Sequence, residues 1–90
     1  MEQRVLTIDL GGETVVSKPW DFEAMCLVDD AKQRGEGQLR MGQDAVFYLF
    51  EGTKATDEVL NSLPAGTLSQ LAMRVFLWYV QDLADAAKNA

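Results

Sequence analysis

The sequence predicts an α+β fold, in which an N-terminal β-hairpin packs on three or four helices and the last helix is the longest. Strand-like apolar runs within residues 4–18, separated by two glycines, indicate the hairpin. Apolar residues at helical spacing over residues 21–34 indicate a first helix. Residues 67–88 contain neither proline nor glycine and indicate the long helix. The length of 90 residues predicts a single domain, 1–90, with one modest core.

Two adjacent glycines define the turn of the predicted hairpin. Gly11 and Gly12 allow the positive φ angles that a tight two-residue turn requires. Such a turn places Ile8 opposite Val15. Because a two-stranded hairpin is marginal alone, its apolar face is expected to lie on helices or to pair with another chain. That face comprises Leu6, Ile8, Leu10 and Val15.

The first predicted helix follows Pro19 and spans residues 21–34. Asp21 is a candidate N-cap, and Gly35 is a natural C-terminal stop. Cys26 is the single cysteine, which excludes an intramolecular disulfide, and its apolar neighbours predict a buried structural thiol. The apolar residues at roughly helical spacing are Phe22, Met25, Cys26, Val28 and Ala31.

The middle of the chain predicts a flexible joint followed by a short apolar element. Residues 35–42 are interrupted by glycines and predict the joint. The apolar run at 45–50 fits either a buried strand or a short buried helix, because periodicity does not decide so short a run. Asp44 as a cap and Gly52 as a stop favour a short helix at 44–51.

Two further helices are predicted in the remainder of the chain. A short helix at 56–63 is opened by Thr56 and closed by a proline. The long helix at 67–88 begins with Thr67 as N-cap, and Gln70 completes a capping-box pattern.

The long helix is more apolar than one buried face requires. Residues 75–80 are all apolar, so apolar side chains surround the helix at that level. Such a helix needs cover from the rest of the chain, a second copy or a partner. A homo-oligomer is therefore expected. The predicted partner-binding residues are Phe76, Leu77 and Trp78, with Trp78 as the anchor.

The predicted core draws on the hairpin and on every helix. A central strand at 45–50 would overturn this arrangement, because alternate side chains would then point to opposite faces. The predicted core residues are Leu6, Ile8, Val15, Phe22, Met25, Val46, Phe47, Phe50, Leu60, Leu71, Val75 and Tyr79.

The sequence predicts no catalytic, cofactor-binding or metal-binding residue, and hence no enzyme. It contains no histidine, which removes the commonest general base and the commonest zinc ligand. Asp29 and Asp30 are adjacent and point in different directions on a helix, so they cannot coordinate one metal ion together. Asp57 and Glu58 fit the first turn of a helix, where acidic side chains are favourable.

The charge balance argues against nucleic acid and membrane surfaces as partners. The formal net charge is −6, from 14 acidic and 8 basic residues. Nucleic acids and anionic membranes both favour clustered lysine and arginine. The apolar runs are far shorter than the roughly 20 residues that span a bilayer. With one cysteine and no signal-peptide pattern, a cytoplasmic location is expected.

The N-terminal third of the chain resembles a known family. Residues 6–16 (LTIDLGGETVV), followed by residues 22–25 (FEAM), resemble the opening of small phage tail assembly chaperones. In many of these proteins a strand, a glycine-containing turn and a second strand lead into a helix with a Phe-x-Ala-like pattern. The order of the later parts is similar in outline: a glycine-broken connection, a short apolar helix and a terminal helix.

The resemblance implies a non-enzymatic protein of a tailed phage or prophage, acting in the cytoplasm of the bacterial host. Such chaperones bind the long tape-measure protein, keep it soluble and help tail-tube subunits polymerise, and they are often oligomeric. On this hypothesis Phe76, Leu77 and Trp78, flanked by Asp82 and Asp85, shield amphipathic helices of the tape-measure protein. A small acidic regulatory or antitoxin-like interaction module remains the alternative.

Overall fold

A two-stranded hairpin and four helices make up the part of the chain that the computed structural model describes, residues 3–89. This arrangement confirms the predicted α+β class with a long C-terminal helix. In chain order the elements are β1 (Thr7–Leu10), β2 (Glu13–Val16), α1 (Phe22–Gln33), α2 (Gln38–Leu49), α3 (Asp57–Asn61) and α4 (Ala65–Asn89).

The hairpin has the predicted register. Ile8 pairs with Val15, and the turn glycines adopt positive φ angles of 60° at Gly11 and 87° at Gly12. These angles fit a two-residue hairpin turn, which matches the twist of the flanking strands. The pairing extends beyond the strands, because Ser17 N donates to Leu6 O at 2.8 Å. The predicted apolar face is buried at Leu6, Ile8 and Val15.

Helix α1 has both predicted caps. The side chain of Asp21 accepts a hydrogen bond from Ala24 N at 2.9 Å. Beyond its C-terminal end, Gly35 has a φ of 79° and donates to Lys32 O at 2.9 Å. The N–H of the next residue, Glu36, donates to Ala31 O, which completes a Schellman motif. Local capping chemistry therefore fixes both ends of this helix.

The core prediction is wrong for one residue of α1. Phe22 is 78% exposed, whereas the buried stripe of the helix is Ala24, Val28 and Ala31. Two positions along a helix correspond to about 200°, so Phe22 points away from Ala24 and from the core. Met25, also predicted as core, is partly buried and packs against its edge.

Helix α2 begins six residues earlier than predicted, within the segment expected to be a joint. It starts at Gln38 after Gly37 as N-cap, and Asp44 lies inside it as an exposed residue. Residues 45–49 are helical, so the strand alternative is excluded. The helix stops at Leu49, two residues before the predicted end.

Gly42 explains why this segment forms a helix. A Cβ atom at Gly42 would lie 2.8 Å from both Ala72 Cα and Val75 Cγ2, so α2 and α4 cross here at backbone distance. Glycine is a poor helix former, which favours a joint on local grounds. The close packing that only glycine permits overrides that local preference.

The ends of the last two helices differ from the predicted ones. Thr56 caps α3 as expected, accepting from Val59 N at 3.3 Å, but α3 ends at Asn61 and not at 63. Helix α4 begins at Ala65, because the carbonyl of Pro64 accepts from Leu68 N at 3.2 Å. Thr67 is therefore inside the helix and is not its N-cap.

Helix α2 lies at the centre of the fold. It packs along both α1 and α4, which have few contacts with each other. Lys18 N donates to Leu49 O at 2.8 Å and joins the segment after β2 to the end of α2. Phe47, predicted as core, is partly buried. The buried side chains include Val28, Val46, Leu49, Phe50, Leu60, Leu71, Val75 and Tyr79.

A candidate protein interface on the last helix

The three residues predicted to bind a partner do not share one side of α4. Successive residues of a helix point about 100° apart. Leu77 is 50% exposed, whereas Trp78 is only 8% exposed and belongs to the core. Phe76 is partly buried and packs against the edge of the core. Trp78 is therefore not available as a surface anchor, because its side of the helix faces the interior.

Trp78 instead contacts the segment between the hairpin and α1. Its ring centroid lies 5.7 Å from that of Trp20, and the two ring planes are tilted by 54°. The Nε1 atom of Trp20 donates to Asp82 Oδ2 at 2.8 Å. Arg4 Nη1 lies 2.9 Å from Asp82 Oδ1. This cluster holds the segments on both sides of the hairpin against α4.

The two acidic residues predicted to flank a partner surface lie away from it. Asp82 is engaged by Trp20 and Arg4, within the fold. Asp85 follows Phe76 by nine residues, which places it on the opposite side of α4 at about 100° per residue. The expected acidic ring around the exposed apolar residues of α4 is therefore not formed by these two side chains.

An apolar strip is nevertheless exposed along α4. Val80 and Leu83 follow Phe76 by four and seven residues, so the three lie on one side of the helix. Val80 is 44% exposed and Leu83 is 39% exposed. Leu77 lies at the edge of the same side. We call Phe76, Leu77, Val80 and Leu83 the α4 strip.

The other exposed large apolar side chains are scattered. Among the described residues they are Val16 on β2, Phe22 at the start of α1 and Leu39 on α2. Single exposed apolar residues are common on soluble proteins, whereas a contiguous set indicates an interaction site. The α4 strip is such a set.

A groove runs beside the α4 strip. It has a volume of about 350 Å³ and lies between α4, the start of α2 and the end of α1. Its surface is mainly apolar, with one basic and one acidic residue among those that line it. We call it the α4 groove. Its lining includes Lys32, Glu36, Met41, Phe76, Val80 and Leu83.

Tyr79 also lines the α4 groove. Its hydroxyl donates to Asp29 Oδ1 at 2.6 Å and so connects α4 to α1. Burial and this hydrogen bond to a carboxylate raise the pKa of Tyr79 to about 12. The phenol is therefore neutral at physiological pH. The hydrogen bond thus joins α4 to α1, two of the helices that border the groove.

The side chains that could bind a metal ion or act as a nucleophile do not form a reactive site among the described residues. Among the described residues, no three histidine, cysteine, aspartate or glutamate side chains come together as a metal site. Cys26 is partly exposed, not fully buried as predicted. Desolvation and the nearby negative charges of Glu23, Asp30 and Asp29 raise the pKa of the Cys26 thiol. The protonated thiol is a poor nucleophile.

Sequence reasoning missed most of the residues that form the α4 groove. In the sequence, Val80 stands out only as the end of an apolar run, and Leu83 only as an apolar residue at helical spacing. The spacing of Phe76, Val80 and Leu83 is a usable signal for a shared face. Met41 has no such signal, because it reaches the groove only through the unexpected early start of α2.

Comparisons with protein-family models, curated proteins and solved structures found no match for this chain. Over residues 3–89, no helix is both long enough and apolar enough to cross a membrane.

Proposed function

We propose that this protein is a non-enzymatic tail assembly chaperone of a tailed phage or prophage, which binds an amphipathic helix of the tape-measure protein in the host cytoplasm. The observation that carries the proposal is the α4 strip beside an open, mainly apolar groove. The sequence resemblance of residues 6–16 and 22–25 supplies the family and the partner.

The spacing of the α4 strip suits a helical partner. Helix-in-groove recognition uses anchors at intervals of three and four residues, which interdigitate with a matching stripe. Phe76, Val80 and Leu83 have that spacing. From Phe76 to Leu83 the strip is about 10 Å long at 1.5 Å per residue, enough to contact two turns of a bound helix.

Charge supports a partner helix with basic residues around its apolar stripe. The chain has a formal net charge of −6, and such a field attracts basic partners and speeds their association. Lys32 and Glu36 both line the α4 groove, so an opposite pair of charges there would set the direction of the bound helix.

The test is co-purification with the tape-measure protein expected to be encoded near this gene, using Val80→Asp as the disruptive variant. A charge in the middle of the apolar strip is expected to reduce the retained tape-measure protein at least tenfold, or about 1.4 kcal/mol. Val16→Asp is the matched control, because Val16 is 49% exposed on a different element. Equal retention by both variants and the wild type would contradict the proposal.

Genome context tests the family assignment independently. Tail-tube and tape-measure genes on either side of this gene are expected. A toxin gene beside it would instead support the antitoxin-like alternative. In that case the toxin would replace the tape-measure protein as the expected partner of the α4 groove.

A further inference from the structure

We propose that, in the free protein, a second copy of the same chain covers the α4 strip through antiparallel, two-fold pairing of α4 centred on Val80. The inference about pairing stands on the residue pattern of α4. It rests on the proposed function only in its consequence, namely that the second copy and the partner helix compete for one surface.

The side chains of this face change from large to small along α4. Met73, Phe76 and Leu77 lie on the N-terminal side of Val80. The C-terminal side begins with Leu83 and continues with alanines at positions 84 and 87, all of which are exposed. At about 100° per residue, all of these positions fall on one side of the helix, on either side of the direction of Val80.

Two copies of this face are complementary in side-chain size only when the two helices are antiparallel. An antiparallel pair centred on Val80 sets each residue opposite the one equally far on the other side of position 80. Phe76 then lies level with Ala84 of the second copy, and Leu77 lies level with Leu83 of the second copy. The largest side chain of the face thus meets one of the smallest, as close packing requires. A parallel pair would set Phe76 against Phe76 and leave a void between the alanines.

The geometry also uses the α4 groove. Leu83 lies on the groove side of the strip, and the pairing brings Leu83 of the second copy to the level of Leu77. Its side chain there enters the groove next to Phe76 and Val80. The same contact is repeated on the other copy, so the interface is isologous and closed. Association therefore stops at a dimer.

Charge does not oppose this pairing locally. Each copy has a formal net charge of −6, which disfavours association in general. The strip itself contains no acidic or basic residue, and Asp82 is held by Arg4 and Trp20 on another side of α4. The repulsion is therefore spread over distances that salt screens, and added salt is expected to strengthen the dimer.

Competition is the functional consequence. A partner helix must displace the second copy before it reaches the α4 groove. The apparent affinity for the partner then falls as the chaperone concentration rises above the dimer dissociation constant. The dimer also hides an apolar surface that would otherwise favour aggregation.

A residue-swap experiment tests the antiparallel pairing without any partner protein. Sedimentation velocity of the wild type is expected to give twice the chain mass of 10.0 kDa. Phe76→Ala leaves a cavity and Ala84→Phe sets two rings against each other, so each single variant is expected to weaken the dimer at least tenfold. The double variant Phe76→Ala/Ala84→Phe exchanges the two partners and is expected to restore it. Circular dichroism verifies the fold of each variant.

Two results would overturn the inference: a wild type that sediments at 10.0 kDa up to millimolar concentration, or a double variant no better than the single ones. Cross-linking covers the case in which a variant fails to fold. In a Cys26→Ser background, Val80→Cys is expected to form a disulfide-linked dimer with oxidised glutathione, and Val16→Cys is not. Equal cross-linking at both positions would also overturn it. Neither experiment contains the tape-measure protein, so failure here leaves the co-purification test intact.

Discussion

At the scale of single residues, Trp78 is expected to contribute to stability, whereas its neighbour Leu77 is not. Trp78 is buried against Trp20, whereas Leu77 is exposed beside it. Trp78→Ala is expected to lower the free energy of unfolding by about 3–5 kcal/mol, because it leaves a large cavity. Leu77→Ala is expected to change it by only about 0.5 kcal/mol. Urea unfolding followed by circular dichroism measures both, and similar losses would show that Trp78 is misplaced.

Tyr79 makes stability depend on pH in the alkaline range. Its pKa is raised to about 12 from 10.0, so the folded state favours the neutral phenol. The unfolded chain ionises first, and stability present below pH 10 is therefore lost as the pH rises toward 12. Tyr48, whose hydroxyl donates to Asp21, has a pKa raised to about 12 and adds to the same loss.

Tyr79→Phe is expected to make the stability of the protein less dependent on pH in this alkaline range. The variant lacks the titrating phenol, so its urea midpoint should fall less between about pH 10 and pH 12 than that of the wild type. Tyr48→Phe reports the separate contribution of the other tyrosine. If Tyr79→Phe shows the same pH dependence as the wild type, folding does not raise the pKa of Tyr79.

At the scale of elements, the crossing of α2 and α4 predicts opposite effects for two glycine substitutions. Gly42→Ala would force a Cβ atom against the backbone of Ala72 and is expected to destabilise the protein by about 1–3 kcal/mol or more. Gly66→Ala, in the first turn of α4, meets nothing within 4 Å and is expected to stabilise it by up to about 1 kcal/mol. Urea midpoints of both variants make the comparison.

The opposite signs distinguish packing from helix propensity. Alanine is the better helix former at both positions, so propensity alone predicts stabilisation in both cases. A stabilising Gly42→Ala would mean that the two helices are further apart than described.

The predicted elements were correct where local chemistry determines them. The hairpin register follows from the glycine turn, and both ends of α1 follow from their caps. The start of α2 could not be predicted, because the helix forms through the close approach at Gly42. The start of α4 was missed because the carbonyl of Pro64 accepts from the N–H groups of Thr67 and Leu68, which places the start of the helix before Thr67.

At the scale of the whole molecule, the candidate interface was only half predictable. The apolar excess of α4 indicates that some of its circumference is exposed. Which side is exposed depends on where α2 crosses α4 and where the segment around Trp20 packs. Both are tertiary contacts, so the sequence of α4 alone does not predict them. Sequence reasoning therefore chose three consecutive residues, whereas the exposed side takes residues three and four apart, such as Phe76, Val80 and Leu83.

The contacts of α4 with the first third of the chain also limit when the core can close. Trp20 and Asp82 are 62 residues apart, and Asp29 and Tyr79 are 50 residues apart. On the ribosome, the hairpin and the first two helices emerge well before the residues that cover them. Their apolar faces stay uncovered until α4 emerges, so the core can close only after α4 has left the exit tunnel. Nascent chains stalled before α4 should accordingly be protease-sensitive and bound by molecular chaperones.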